Sequence, residues 1–345
     1  MEIGKGNTRI RLLPEDEYMH PLEAAKNYNE SMYFNIFSAS PKPFGGWFRV
    51  GNRANEGYAE MSNCIYLPDG RVGFMFSRPS ISNNDALDAG GMTFTVIEPF
   101  KKLKATYKGK VCLMKNPHEM ANPKKAFQEN PLVDCEVDID YFGVSPMYGG
   151  EPVNEDGSPV AQNAESAFYS GHYEQHMGGK GFFIVDGVRY DMDGFGLRDH
   201  SWGPRFWQNI YWYRWLPMSF GRDFGMRVSI KSVSAGSLTI GGMVQSGNHY
   251  ADIIDANIKT VWDENDYQTD FTVWVKTAER EYTVDAKVLS LIPLRNRRQT
   301  PEGAWLNTRI TEGMTEYRCD GKVGYGMSEY LDQIVDGKAV GKDVS

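Results

Sequence analysis

Three Asp-Gly dipeptides, Asp69-Gly70, Asp186-Gly187 and Asp320-Gly321, each interrupt a run in which apolar and polar residues alternate. An Asp-Gly pair supplies the positive φ of a tight hairpin turn, and alternation with a period of two marks a strand with one buried face. The runs are Cys64 to Phe76, Phe182 to Tyr190 and Tyr317 to Tyr325, and similar alternation recurs at Met226 to Ile230, Phe271 to Val275 and Tyr282 to Val288. Helical periodicity is scarce, so short helices are expected only at Pro21 to Tyr28 and around Pro123 to Gln128. The chain should therefore be all-β and antiparallel. Its 36 Gly, 19 Tyr, 18 Phe and 8 Trp suit turns and strands better than helices.

At 345 residues there is room for two β units. The stretch Met147 to Asn163, rich in Gly, Pro, Asn and acids, reads as a long surface loop near a boundary. The seam is expected near residue 185, giving units 1–184 and 185–345. A faint echo between Arg53 to Glu60 and Arg309 to Glu316 does not establish a duplication.

Several classes are disfavoured. Thirty-seven Lys and Arg against 45 Asp and Glu, with no basic run, argue against nucleic acid as a partner. The N-terminus, Met1 to Arg9, lacks a basic stretch followed by an apolar one, and no window of about 18 apolar residues exists to span a membrane. Cys64, Cys112, Cys135 and Cys319 are scattered, which suits core thiols in a reducing cytoplasm and no zinc knuckle. No G-x-S-x-G elbow, Walker loop or dinucleotide fingerprint appears, which disfavours hydrolase, nucleotide-triphosphatase and nicotinamide-dehydrogenase readings, and no bound nucleotide is expected.

Chemistry concentrates in Asp193 to Trp215. Trp202, Trp207, Trp212 and Trp215 lie close together beside Arg198, Asp199, His200 and Arg205, a composition that fits the wall of an apolar pocket with a few placed polar groups. An inter-domain core braced by an Asp199 to Arg205 ion pair is the plainer alternative. In an extended strand Arg198, His200 and Trp202 share one face while Asp199 and Ser201 share the other, so Asp199 and His200 meet one ligand only if Gly194, Gly196 or Gly203 creates a bulge. His172, Glu174 and His176 have the residue types of a 2-His-1-carboxylate site, but ligands on one strand seldom converge, and no metal is expected.

The run Glu174 to Arg205, with its D-H-S-W-G core at Asp199 to Gly203, resembles the signature of the carotenoid 1,2-hydratase and AttH-like family, a group that includes kievitone hydratase and lipocalin-like pericyclases. Val323 to Leu331 (V-G-Y-G-M-S-E-Y-L) is similar to an ending in a bacterial branch of that group. The resemblance implies two lipocalin-like barrels or half-barrels packed together, a hydrophobic pocket and no organic cofactor. It assigns alkene protonation to Asp199. Ser201 stands where carotenoid hydratases have Asn, so their substrate does not carry over.

The resulting expectation is a cytoplasmic, cofactor-independent hydratase or dehydratase acting on a terpenoid, prenyl or steroid-like substrate. Asp199 would be the acid and His200 the group that handles water, with Glu174, His176, Trp202, Arg205, Trp207, Tyr211 and Trp212 around the substrate. Trp202, Trp207 and Trp212 should face a cavity where the two units meet. A hydrophobic-ligand carrier and an isomerase or pericyclase using the same pocket remain open as alternatives.

Overall fold

The computed structural model describes residues 8–161, 163, 167–299 and 303–342. The expectation for Met1 to Arg9 therefore falls almost wholly outside the described residues, as does Gln162 of the expected loop. The first sheet contains strands β1 (Tyr28–Ser38), β2 (Phe44–Arg53), β3 (Tyr58–Tyr66), β4 (Val72–Ser77), β5 (Lys102–Met114), β6 (Leu132–Gly143), β7 (Gly171–Val185) and β8 (Val188–Pro204). These pair antiparallel in the order β7-β8-β1-β2-β3-β4-β5-β6, and β6 returns to β7 to close the ring. Short flanking strands extend this sheet at its edges.

The second sheet contains β9 (Trp212–Ser219), β10 (Phe224–Ser232), β11 (Thr239–Ser246), β12 (His249–Trp262), β13 (Gln268–Thr277), β14 (Glu281–Gln299), β15 (Trp305–Cys319) and β16 (Lys322–Val335). It is an up-and-down ring closed by β9 against β16. Both closed sheets remove the exposed edges that an open sheet of this size would present.

The hairpin turns follow the Asp-Gly chemistry. Asp186 and Gly187 (φ 52° and 76°) join Val185 to Val188, and Asp320 and Gly321 (φ 51° and 73°) join Cys319 to Lys322. Both central residues of each turn have positive φ, as a type I′ turn requires. Asp69-Gly70 instead sits in a wider loop between Tyr66 and Val72. The four cysteines are free and buried.

Three expectations are corrected. The segment Pro21 to Asn27 is not helical, and Tyr28 already belongs to β1. It is short for helix nucleation, and the Asn55 amide occupies the carbonyls of Glu23 and Ala25. The other helix, Pro123–Glu129, forms with Asn122 capping Lys125 N. The stretch from Met147 is partly strand, because Tyr148–Val153 pairs with both β7 and Arg9–Arg11. Finally, residue 185 lies in a hairpin within the first sheet, and the chain passes to the second sheet at 205–211. An Asp-Gly turn joins neighbouring strands of one sheet and does not mark a change of sheet.

β1 is buried along its whole length, which shows how the barrels meet. Its residues Met32, Phe34 and Ile36 enter the core of the first barrel. Tyr33 and Phe37, on the other face, join an apolar cluster that includes Ile292, Met314 and Met327 of the second barrel. A strand buried on both faces loses the polar face that alternation would give it.

Candidate active site between the two barrels

β8 runs beside β1 and β7 in unbroken register, so its side chains alternate strictly between two environments. No bulge turns them together. Gly196 instead permits a close crossing, since a Cβ there would come within 2.0 Å of the Asn35 carbonyl oxygen.

The inward face of β8 closes one end of the first barrel. Arg198 donates to both carboxylate oxygens of Glu17, with Nη2 to Oε2 at 2.8 Å, and to the Gln175 side-chain oxygen. His200 Nε2 lies 3.0 Å from Glu30 Oε1, and its Nδ1 lies 3.0 Å from the Tyr173 hydroxyl. Glu30 also receives the Nδ1 of His20, the backbone N–H of His20 and the Asn84 amide. Burial works to raise the Glu30 pKa, but the hydrogen bonds and charges of His20 and His200 outweigh it and hold the carboxyl at about 2. Trp202 stacks on His20 at 3.8 Å between ring centroids. This network pins the 14–20 segment across the barrel mouth and fills space that an open barrel would offer a ligand.

The outward face of β8 borders a cavity of about 680 Å³ between the barrels. Across the first barrel, register aligns Tyr33, Asp199 and Glu174 in one row, and Ser31, Ser201 and His172 in the next. Across the second, Trp215, Glu329 and Glu312 form a facing row on β9, β16 and β15. Trp215 links the rows, donating from Nε1 to Glu174 at 2.9 Å and meeting the Tyr33 ring edge-on. Glu174 also pairs with Arg227. His172 Nε2 is 3.7 Å from Asp199 Oδ2.

Two of these acids have unusual protonation. Burial, reinforced by the nearby charge of Asp199, pushes Glu329 up to about 8. Glu329 is half-buried and lines the cavity. Burial likewise pushes Glu312 up to about 8, with Arg49 only partly offsetting it, and its Oε2 is buried without a hydrogen-bond partner among the described residues. Glu329 accepts a hydrogen bond from the Tyr213 hydroxyl. At neutral pH the cavity thus holds carboxylic acids able to donate a proton.

Of the residues expected from sequence, Asp199, Glu174, Arg205 and Trp207 line the cavity. His200 and Trp202 do not, because alternation puts them on the opposite face of β8. His176 shares the face of Glu174 but is buried where the barrels touch, with Nε2 3.3 Å from the Met218 carbonyl oxygen. Burial drops its pKa to about 4, so it is neutral. Trp212 belongs to the core of the second barrel, and Tyr211 packs against that core. His172, Glu174 and His176 therefore do not converge as metal ligands. Among the described residues the group with ligand-like spacing is His20, Glu30 and His200, whose facing atoms are already engaged with one another.

The Asp199 to Arg205 ion pair of the plainer alternative is absent among the described residues: Arg205 donates to Ser201 Oγ, Ser31 Oγ and the Phe168 carbonyl. Glu329, Glu312 and Tyr33 were not among the residues expected at the site, and Trp215 was expected only as one of the tryptophan cluster. Glu329 lies inside the Val323 to Leu331 stretch, which was the available signal.

Fold and cavity together define a two-barrel, lipocalin-like protein with an acid-lined cavity between its barrels. The chain belongs to the family described as domain of unknown function DUF7064, whose model matches residues 13–334. Comparison with curated proteins finds no match. Among solved structures, the chain is similar to a protein of Nitrosomonas europaea provisionally assigned as AttH (NE1406), with 11% identity, 90% of this chain and 96% of that chain covered, and a TM-score of 0.55. It is also similar to CghA solved with Sch210972, with 11% identity, 89% of each chain covered and a TM-score of 0.50. These likenesses establish an AttH-like fold. No helix among the described residues is long and apolar enough to cross a membrane.

Proposed function

We propose that the protein is a cofactor-independent hydro-lyase that adds water to, or removes it from, a hydrophobic terpenoid, prenyl or steroid-like molecule held between the barrels. The observation that carries this reading is Glu329, a carboxyl displaced to about 8 and set in a cavity walled partly by Tyr33, Trp47 and Trp215. In the hydration direction the alkene π pair takes the Glu329 proton, leaving a glutamate carboxylate and a tertiary carbocation. The facing aromatic rings stabilise that cation. Water adds through an oxygen lone pair and passes a proton to Asp199, which returns it to Glu329; dehydration is the reverse. Asp199 thus changes from the proton donor to the base, with His172 orienting it, and His200 leaves the mechanism. General acid help of this kind contributes about 10² to 10⁴ in rate. CghA, of the same fold and solved with Sch210972, supports a small-molecule ligand.

The test is incubation with pooled terpene alcohols and prenylated phenols in heavy-oxygen water. Label should enter product with the wild-type protein and be lost with Glu329→Gln. Wild-type protein that binds these compounds but neither incorporates label nor converts an alcohol to its alkene would be a carrier, and the proposal would fall.

A further inference from the structure

One wall of the cavity carries more positive charge than its acids balance. Glu60 is shared by Arg78 at 2.9 Å and Arg49 at 3.5 Å, and lies 4.0 Å from Arg53, whose closer ion pair is with Glu56. Arg205 is 6% exposed and lies over the Phe168 and Trp207 rings, at 4.7 and 5.7 Å. Its side-chain hydrogen bonds go to Ser201 Oγ at 2.7 Å, Ser31 Oγ at 3.5 Å and the Phe168 carbonyl at 3.1 Å. Among the described residues none of its partners is a carboxylate. Burying a guanidinium with no carboxylate in direct hydrogen-bond contact is costly, and a neighbour of the same sign adds to the cost. Burial first, then the charge of Arg49, lowers the Arg205 pKa to about 9; the nearby charge of Asp199 offsets part of this and that of Arg53 adds to it.

The surroundings suit an anion. Ser31 Oγ and Ser201 Oγ lie 3.3 Å apart, and both serines line the cavity beside Arg205. Each hydroxyl can turn its proton towards an incoming oxygen. Arg49 also lines the cavity, with its guanidinium carbon 5.9 Å from the Trp207 ring centroid.

We propose that Arg205, Arg49, Ser31 and Ser201 form a subsite for the carboxylate of an otherwise hydrophobic substrate, so that the ligand is an amphipathic acid. This deepens the hydro-lyase reading and rests on it for the apolar part of the ligand. One guanidinium without a carboxylate partner calls for one negative charge. A carboxylate carries that, whereas a phosphate monoester carries about 1.5 to 2 at neutral pH. A planar carboxylate also matches the guanidinium fork. Arg49 and Arg205 both act on the Glu329 carboxyl, so the subsite and the acid share one end of the cavity.

The experiment compares farnesoate, farnesol and farnesyl phosphate by tryptophan-fluorescence titration and calorimetry at pH 7.5. Farnesoate should bind wild-type protein at least tenfold more tightly than farnesol and more tightly than the phosphate. That preference should disappear in Arg205→Gln and in Arg49→Gln, with farnesol affinity unchanged within about twofold. Arg49→Gln leaves Glu60 paired with Arg53 and Arg78, which guards against misfolding of the Arg205 variant. Equal affinity for acid and alcohol, tighter binding of the phosphate, or a preference that survives Arg49→Gln overturns the subsite while leaving the apolar cavity as a ligand site. Binding of none of the three overturns the subsite and the hydrophobic-ligand reading together.

Discussion

Replacing Glu329 with Gln should stabilise the protein and inactivate it in the same step. The wild-type carboxyl is displaced from an ordinary value of 4.5 to about 8. Below about pH 4.5 both folded and unfolded chains hold the proton, and the folded state loses nothing. As pH rises the unfolded chain releases its proton first, so stability falls until the folded group ionises near 8 and is constant beyond. At about 1.4 kcal/mol per tenfold change, the full penalty approaches 5 kcal/mol, and about 3 kcal/mol of it is present at pH 7. Water in the cavity and relaxation around the group reduce this, and we expect ~1–2 kcal/mol at pH 7. Glutamine has no such penalty.

Melting temperatures of wild type and Glu329→Gln, measured in steps from pH 5 to 8.5, should diverge upwards for the variant as pH rises. The expected gap is a few degrees at pH 7 on a scale of roughly 2 °C per kcal/mol. A lower melting temperature for the variant, or a gap that does not change with pH, would show that Glu329 is an ordinary ionised carboxylate and remove the basis for its role as acid.

Asp199→Asn removes a charge that raises Glu329, so the alkaline limb of the pH–rate profile should move from near 8 to lower pH, alongside a loss of turnover; an unmoved limb would separate the two groups. His200→Gln should lower the melting temperature, because it removes one of the partners that hold the buried Glu30, yet preserve turnover per folded molecule when activity is normalised to native protein by circular dichroism. Arg198→Met should cost about 3 to 5 kcal/mol in denaturant unfolding by leaving Glu17 buried without its partner, and the further change Glu17→Gln should recover much of that loss. Glu30, held at about 2 by the two histidines, contributes stability above about pH 4.5 that is lost as pH falls towards 2; Glu30→Gln should flatten that part of an acid titration followed by tryptophan fluorescence.

The architecture was legible because hairpin chemistry is local. Asp186-Gly187 and Asp320-Gly321 fix turns through their own φ values, and strand alternation correctly separated Asp199 from His200. The boundary between sheets was not legible: it depends on which strands close with which, and no local residue pattern distinguishes a hairpin within a ring from one beside its end. The second half of the site was hidden for a related reason. Glu312 and Glu329 sit in alternating strands where exposed acids are ordinary, and only the packing of the first barrel against β15 and β16 buries them. Of the tryptophan cluster, Trp207 and Trp215 line the cavity, whereas Trp202 stacks on His20 in the first barrel and Trp212 lies in the core of the second. Density of one residue type along a chain does not say which way each side chain turns.

The strict alternation of β8 makes its five-residue core two messages written on one line. Arg198, His200 and Trp202 are read by the inside of the barrel, while Asp199 and Ser201 are read by the cavity. The two can change independently. A relative that kept the first set and lost the second would retain the inner network and keep the H, W and G of the D-H-x-W-G pattern, yet lack the residue proposed here as the base. For annotation, the informative letters are Asp199 and its opposite number on the other barrel, Glu329, which lie 130 positions apart and must be checked as a pair.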